Sequence, residues 1–172
     1  MTPGIPPLTS SVLDDLGFEA NDGTWDINRT KPSYPREPEA ATAWSALLGQ
    51  RRLQEPPRDD RPALWETEQP ARAVALALEA AGHQPAARDE YGRWARDGYC
   101  VEESTQPGHA RVTVKPRREW TSVGNEEYRS ASQLYSWSLQ NLMMFEMTLE
   151  EHGWSIRRSS SSPYLIVSPL RD

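Results

Sequence analysis

Cysteine is almost absent from this chain, and long apolar runs are absent altogether. Cys100 is the one cysteine among 172 residues, so the chain has no intrachain disulfide and no thiolate metal cluster. No apolar stretch approaches the ~20 residues that cross a bilayer. The first ten residues, MTPGIPPLTS, lack the basic and apolar regions of a signal peptide. We therefore expect a soluble, cytoplasmic protein, or a virion protein if its gene belongs to a phage.

An excess of basic residues is also missing. The chain has 19 Lys and Arg against 25 Asp and Glu, which gives a net charge of −6. Proteins that hold nucleic acid or an anionic membrane present clustered Lys and Arg. Short basic pairs such as Arg51-Arg52 are interpreted as solvated surface residues. The charge balance therefore disfavours nucleic acid as a partner, and we expect no membrane.

Motifs with a defined chemistry are missing as well. His83, His109 and His152 are far apart, and none has a metal-ligand spacing to another His, Asp or Glu. Gly-rich phosphate-binding motifs and the G-x-S-x-G nucleophile motif do not occur. The sequence therefore predicts no catalytic residue, no metal and no cofactor. His152 ends a long predicted helix and, when protonated, would favour the negative end of that helix.

Proline, by contrast, is abundant and divides the chain. Most of the 15 prolines precede Pro70, and such stretches form neither long helices nor central strands. We predict a Pro-rich N-terminal arm over residues 1–68, with short helices in TSSVLDDLGF and EPEAATAWSALLGQRRL. Residues 69–172 are predicted to form an α+β domain.

This second part contains two helix–hairpin units in succession. An Ala- and Leu-rich helix in QPARAVALALEAAGH is followed by a helical turn in AARDEYGRWARDG and by strands over 99–103 and 110–115. A long helix, with Asn125 as its N-cap and Gly153 as its stop, leads to strands over 154–157 and 164–168.

The two hairpins share a sequence pattern of Gly, aromatic, any residue, branched aliphatic, polar loop, alternating strand and Pro. Aligning the glycines matches Tyr99 with Trp154, and aligning the closing prolines makes the second loop two residues shorter. The similarity has two interpretations. It reflects an internal duplication of residues 69–116 and 126–169, or it arises because many unrelated helices end in glycine. EANDGTWDI is interpreted as a third, degenerate hairpin.

Alternation along the four strands predicts one apolar and one polar sheet face. The apolar face holds eight side chains: Tyr99, Val101, Val112, Val114, Trp154, Ile156, Leu165 and Val167. We predict an α+β fold in which two helix–β-hairpin units form a four-stranded antiparallel sheet, with helices covering the apolar face.

Apolar residues beyond the needs of this core indicate a binding role. The long helix carries one stripe with Tyr135, Leu142 and Phe145 and a second stripe rich in methionine, a residue that suits adaptable contacts. The arm carries spaced tryptophans, whose burial does not by itself balance the entropy of ordering the arm. The predicted partner-binding residues are Trp25, Trp44, Trp65, Trp137, Met143, Met144 and Met147.

These features predict a non-catalytic interaction or assembly subunit of a larger complex. Its partners would be other protein subunits or further copies of itself. The Ala-, Arg-, Pro- and Trp-rich composition is typical of high-GC actinobacterial and actinophage genomes, so a component of such a particle is one form of this prediction.

Two other classes of function stay open. The polar sheet face carries a basic and aromatic set that would suit a nucleic-acid-associated regulatory factor. Its members are Arg111, Lys115, Arg157 and Tyr164. Cys100 and His109 flank one hairpin, and they would supply the nucleophile and the base of a small Cys/His-dependent enzyme.

Overall fold

The structure, a computed structural model, describes residues 10–30, 37–54, 57, 59–159 and 161–169. Parts of the predicted arm, residues 1–9 and 31–36, lie outside this range. The helices are α1 Val12–Leu16, α2 Ile27–Thr30, α3 Glu37–Arg52, α4 Leu64–Glu68, α5 Pro70–Ala80, α6 Arg118–Thr121 and α7 Ala131–Glu151. The strands are β1 Ala87–Arg88, β2 Trp94–Arg96, β3 Gly98–Glu103, β4 Ala110–Lys115, β5 Trp154–Arg158 and β6 Tyr164–Pro169.

Four strands form one antiparallel sheet in the order β3-β4-β6-β5, and β1 and β2 form a separate pair. All four strands of the main sheet lie within one residue of their predicted bounds. This agreement confirms the predicted α+β class and the four-stranded antiparallel sheet.

The predicted apolar face of the sheet is the floor of the core. Seven of its eight side chains are buried, and Ile156 packs against them while partly exposed. Helices α5 and α7 cover this face, and α3 packs on α5 from the other side. Because α5 lies between the sheet and α3, its residues from Ala73 to Glu79 are all buried. Three buried alanines of α5, Ala73, Ala75 and Ala77, leave room for this close packing.

The two hairpins have the same length, which corrects the predicted two-residue difference between their loops. Paired positions in the first hairpin recur in the second at a constant difference of 55 in residue number. Tyr99 faces Val114 in the first hairpin, and Trp154 faces Pro169 in the second. The prolines at 116 and 169 are therefore not equivalent. Strands β4 and β6 pair with Arg111 opposite Ile166, two positions that also differ by 55. The two hairpins are therefore related by a local two-fold axis that passes between Arg111 and Ile166. Whether this symmetry records a duplication stays a prediction.

Segments from the predicted arm contribute to this same core. Leu13 of α1, Leu47 of α3 and Trp65 of α4 are fully buried in it. The arm's tryptophans were predicted as anchors for an outside surface, whereas the described helices of the arm pack inside the chain, α3 and α4 on α5 and α1 on α3. The domain boundary near residue 68 stays a prediction.

Three local predictions were wrong. Residues 87–96 form the small β1–β2 hairpin instead of a helical turn, because Asp89 accepts backbone hydrogen bonds from Tyr91 and Arg93 and so closes a tight turn. Helix α7 starts after the N-cap Ser130, while Asn125 caps only a preceding turn. EANDGTWDI leads into α2 and makes a single bridge, from Asp26 to Arg88, instead of a third hairpin.

The two edges of the sheet differ. Along β3, the Tyr99 N–H donates to the Gln84 carbonyl at 3.0 Å and the Val101 N–H donates to the Asp22 carbonyl at 2.7 Å, so loop backbone covers this edge. Along β5, no described strand lies on the side away from β6. The local two-fold symmetry of the hairpins therefore does not extend to their outer edges, since loop backbone covers β3 and no described strand pairs with the outer side of β5.

A buried ion pair joins four segments of the chain. The Arg51 guanidinium donates to both Glu66 carboxylate oxygens, at 2.7 and 2.9 Å, and neither side chain is exposed by more than 1%. Arg51 also donates to the carbonyls of Asp59 and His152, at 2.8 and 2.7 Å. The Ala63 N–H donates to the same Glu66 side chain at 2.6 Å. Arg51 thus connects α3, the loop before α4, α4 itself and the end of α7.

Replacement of Arg51 by Met should strongly destabilise the fold, because it leaves the Glu66 carboxylate buried without its cation. Loss of one partner from a buried pair costs about 3–5 kcal/mol. The measurement is the urea unfolding midpoint, with Arg52→Met as the matched control. Arg52 pairs with Asp59 on the surface, where both side chains are more than half exposed, so its midpoint should stay close to that of the native chain. Equal effects of the two changes would contradict the role given to Arg51.

Candidate protein-interaction surface

Helix α7 is fixed by a capping box at its start and by one buried face. The Gln133 N–H donates to the Ser130 hydroxyl at 3.1 Å, and the Ser130 N–H donates back to the Gln133 side chain at 2.8 Å. Leu142, Phe145 and Leu149 recur at helical spacing and pack into the core. Contacts with α5, β4, β5 and β6 therefore set the rotation of α7 about its axis.

The opposite side of α7 exposes large apolar side chains. Tyr135 is 55% exposed, Leu139 40%, Met143 50%, and Met144 and Met147 are each 58% exposed. Residues 135, 139, 143 and 147 follow one another at a spacing of four, so they form a continuous ridge along the helix. We call these five side chains the α7 ridge. Residues 131–145 contain no charged side chain, so the ridge is neutral as well as apolar from Tyr135 to Met144, whereas Met147 follows Glu146.

A groove adjoins the N-terminal half of the α7 ridge. Tyr135, Leu139 and Leu142 form its wall on α7, and Ser162 and Pro163 of the β5–β6 loop form the opposite wall. Its volume is about 90 Å³. The α7 ridge therefore has a groove beside its N-terminal end and flexible methionines at its C-terminal end.

The prediction placed the three methionines on the outside of α7, and that is where the structure places them. Tyr135 was predicted on the core stripe, yet it is exposed, and Leu139 was not singled out at all. The signal for both was present, because Tyr135, Leu139, Met143 and Met147 share a spacing of four. Leu142, Phe145 and Leu149 of the first predicted stripe are buried, so that stripe does face the core, and the difference is confined to Tyr135 near its N-terminal end.

The predicted tryptophans meet other parts of the same chain. Trp65 is fully buried, and its indole N–H donates to the Gln50 side chain. The Trp44 ring packs against the core, 4.4 Å from the His152 ring. Trp137 is partly buried in an edge-to-face contact with Trp120, at 5.1 Å between centroids.

Trp25 is only partly exposed. The Arg29 guanidinium lies 3.9 Å from the centroid of the Trp25 ring. The Trp25 carbonyl accepts a hydrogen bond from the Arg88 N–H at 2.9 Å. Trp65 therefore exposes no surface to a partner in this fold. The other three predicted tryptophans, Trp25, Trp44 and Trp137, each expose part of their side chain.

Most of the predicted set on the polar sheet face is engaged internally. Arg111 pairs with Glu102 and lies over the Tyr164 ring, at 5.7 Å from its centroid. Lys115 lies 5.7 Å from the Trp94 ring centroid. Arg157 differs from these, because no hydrogen bond, ion pair or ring contact with another described residue engages its exposed guanidinium. It lines a cavity of about 510 Å³ with Gln106, His109, Ser155, Ile166, Ser168 and Pro169.

Cys100 and His109 are not brought together. The cross-strand partner of Cys100 is Thr113. The His109 carbonyl instead accepts from the N–H of Ser104, which follows the last residue of β3 and lies four residues after Cys100. Four residues of extended chain span about 13 Å at ~3.3 Å per residue. Burial raises the pKa of the Cys100 thiol to about 11, although the nearby Lys115 cation opposes this shift. The nucleophilic thiolate is therefore disfavoured at neutral pH.

No group of three or more His, Cys, Asp or Glu side chains is arranged to hold a metal ion in the described part of the chain. Two histidines are instead packed into the fold. His83 hydrogen-bonds to the Thr148 hydroxyl at 2.7 Å, and burial lowers its pKa. Burial, and then the Arg51 cation, lower the pKa of His152. The lowered pKa favours the neutral form of His152, so the favourable interaction of its protonated form with the end of α7 stays a prediction.

Stability should fall as the solution is acidified from about pH 7.5 to pH 5.5. The folded pKa of His152 lies below its unfolded value near 6.5. Its contribution is therefore present above pH 6.5 and is lost as the pH falls through the folded pKa. His152→Gln should flatten this loss, as measured by urea midpoints across the pH range. An unchanged slope in the variant would show that His152 makes no such contribution.

No helix in the described ranges has the length and apolar character needed to cross a membrane. Comparisons with protein-family models, with curated proteins and with solved structures find no match to this chain. Function must therefore be argued from the surfaces described above.

Proposed function

We propose that this protein is a non-catalytic protein-interaction or assembly subunit and that the α7 ridge is the surface that binds its partner. Five large apolar side chains, each at least 40% exposed, carry this proposal. Isolated exposed apolar residues are common on folded proteins, but contiguous apolar patches of several hundred Å² mark interaction sites. A partner from an actinobacterial or phage particle stays a prediction.

The chemistry of the α7 ridge also supports a protein partner. Methionine is flexible and polarisable, so three methionines can adapt to an apolar surface of another chain. Residues 131–145 carry no charge, so no ionised side chain of this part of α7 needs to be desolvated when the ridge is covered. The charged groups at its margin include Arg158, which lines the groove, and Glu146, with which Arg158 pairs. Covering the ridge over residues 135–144 would therefore gain apolar burial at a small electrostatic cost.

The test is the mass of complexes that contain the full-length chain, isolated under native conditions from its source cells. The tagged native chain should run in a complex larger than the chain itself. Met143→Glu combined with Met147→Glu should abolish that complex, because a buried, unpaired carboxylate opposes association. Val123→Glu is the matched control, since Val123 is 86% exposed and lies outside α7.

Circular dichroism and the urea midpoint should be unchanged in both variants, since the altered side chains lie on the surface. A native chain that is only monomeric in its cells would overturn the proposed function. A complex that survives the double change on α7 would overturn the role of the α7 ridge.

The free Arg157 favours a second candidate function, that of a nucleic-acid-associated factor. Its guanidinium lines the cavity beside His109 on the polar sheet face, and the Tyr164 ring lies on the same face. One unpaired cation is a small electrostatic footprint for a chain of net charge −6. We therefore rank this candidate below the protein-interaction role.

Fluorescence anisotropy with a single-stranded oligonucleotide tests this second candidate. Binding should be salt-sensitive, and Arg157→Ala should weaken it severalfold. Arg158→Ala is the matched control, because Arg158 is the next residue and is paired with Glu146. Failure of the native chain to bind at low salt would remove the candidate.

A further inference from the structure

We infer that the occupant of the α7 ridge is a second copy of this chain, with the two α7 helices packed face to face and running in opposite directions. This inference rests on the proposed function, since it names the partner of the same surface. A two-fold axis at the centre of the ridge would exchange Leu139 with Met143 and Tyr135 with Met147.

The charge distribution along α7 supports the opposite orientation of the two helices. The three acidic side chains of α7 all lie in its last six residues; Glu146 is paired with Arg158, and Glu150 and Glu151 are exposed. Parallel packing would place these carboxylates beside their own copies. Opposite packing places them on the side of the partner's helix N-terminus, which carries a partial positive charge. Between the two ends, residues 131–145 of each copy are uncharged.

The shape of the surface supports self-pairing. The groove of about 90 Å³ lies at the end of the ridge that contains Tyr135 and Leu139, and Met143 and Met147 project from the other end. The two-fold operation brings the methionines of each copy to the groove of the other. An isologous interface of this kind closes at two copies because each surface is used once.

The size of the surface indicates a weak dimer. Five side chains make up the ridge, whereas a standard interface uses ~20–30 residues on each side. We therefore expect a dissociation constant in the micromolar range. Each copy carries a net charge of −6, so added salt should strengthen the dimer by screening the repulsion between copies.

The first experiment measures the mass of the purified full-length chain over a concentration series by light scattering. We expect a shift towards twice the mass of the chain as concentration rises. Met143→Glu should weaken the dimer about tenfold or more, because the charge enters an apolar interface, and Val123→Glu should not. A chain that remains monomeric at high micromolar concentration overturns the inference. If such a chain still forms a complex in cells that requires the α7 ridge, the proposed function stands and only the self-pairing inference is lost.

The second experiment tests the orientation by disulfide trapping. Leu139→Cys and Met143→Cys are made in separate chains that carry tags of different size. Under mild oxidation the mixture should form the mixed disulfide, and each variant alone should form little. Efficient disulfides within each separate variant would overturn the opposite orientation. The native Cys100 does not compete, because it is buried and its pKa is raised to about 11.

Discussion

The buried pair of Arg51 and Glu66 is the interaction that joins the N-terminal part of the chain to the sheet and its helices. It is costly to desolvate, and it is tolerated because four of the five guanidinium N–H groups and both carboxylate oxygens have partners: Arg51 donates to the two carboxylate oxygens and to two backbone carbonyls, and the Ala63 N–H donates to Glu66. The carbonyl of His152 is one of these acceptors, so the end of α7 is tied to α3. Close packing reinforces this link, because a Cβ on Gly153 would lie 1.9 Å from the Asp60 carbonyl oxygen. The orientation of the α7 ridge thus depends on residues about one hundred positions earlier in the chain.

The sheet and its covered face followed directly from the sequence, since period-two alternation of Tyr, Trp, Val, Ile and Leu has one physical solution when a single face is buried. The loop comparison failed because Pro116 and Pro169 look equivalent, whereas backbone pairing sets the real equivalence between the hairpins. The turn at Asp89 was missed because the apolar spacing of residues 87–94 resembles a helix. That spacing does not show that the Asp89 carboxylate accepts hydrogen bonds from the Tyr91 and Arg93 N–H groups. Arg51 and Arg52 are adjacent and chemically identical. Only the three-dimensional packing buries the first and exposes the second.

The candidate surface was partly predictable for the same reason. Excess apolar residues on α7 predicted a second apolar stripe, and its methionines are exposed. Tyr135 is exposed although it shares a stripe with the buried Leu142 and Leu149, because periodicity gives the face of a helix but not how much of its length is covered. The arm tryptophans were predicted as outward anchors because sequence alone does not reveal that α3 and α4 pack on α5 and bury Trp65. The entropy of ordering these segments is therefore offset within the chain itself.

The unequal edges of the sheet limit how this protein can associate through its strands. Backbone from two loops caps β3, while β5 is left bare on its outer side within the described residues. The main sheet, with one edge unpaired among the described residues, can add one neighbouring strand there and then has no second open edge of its own. Extension of this sheet between copies would therefore terminate at a closed pair instead of growing into a fibre.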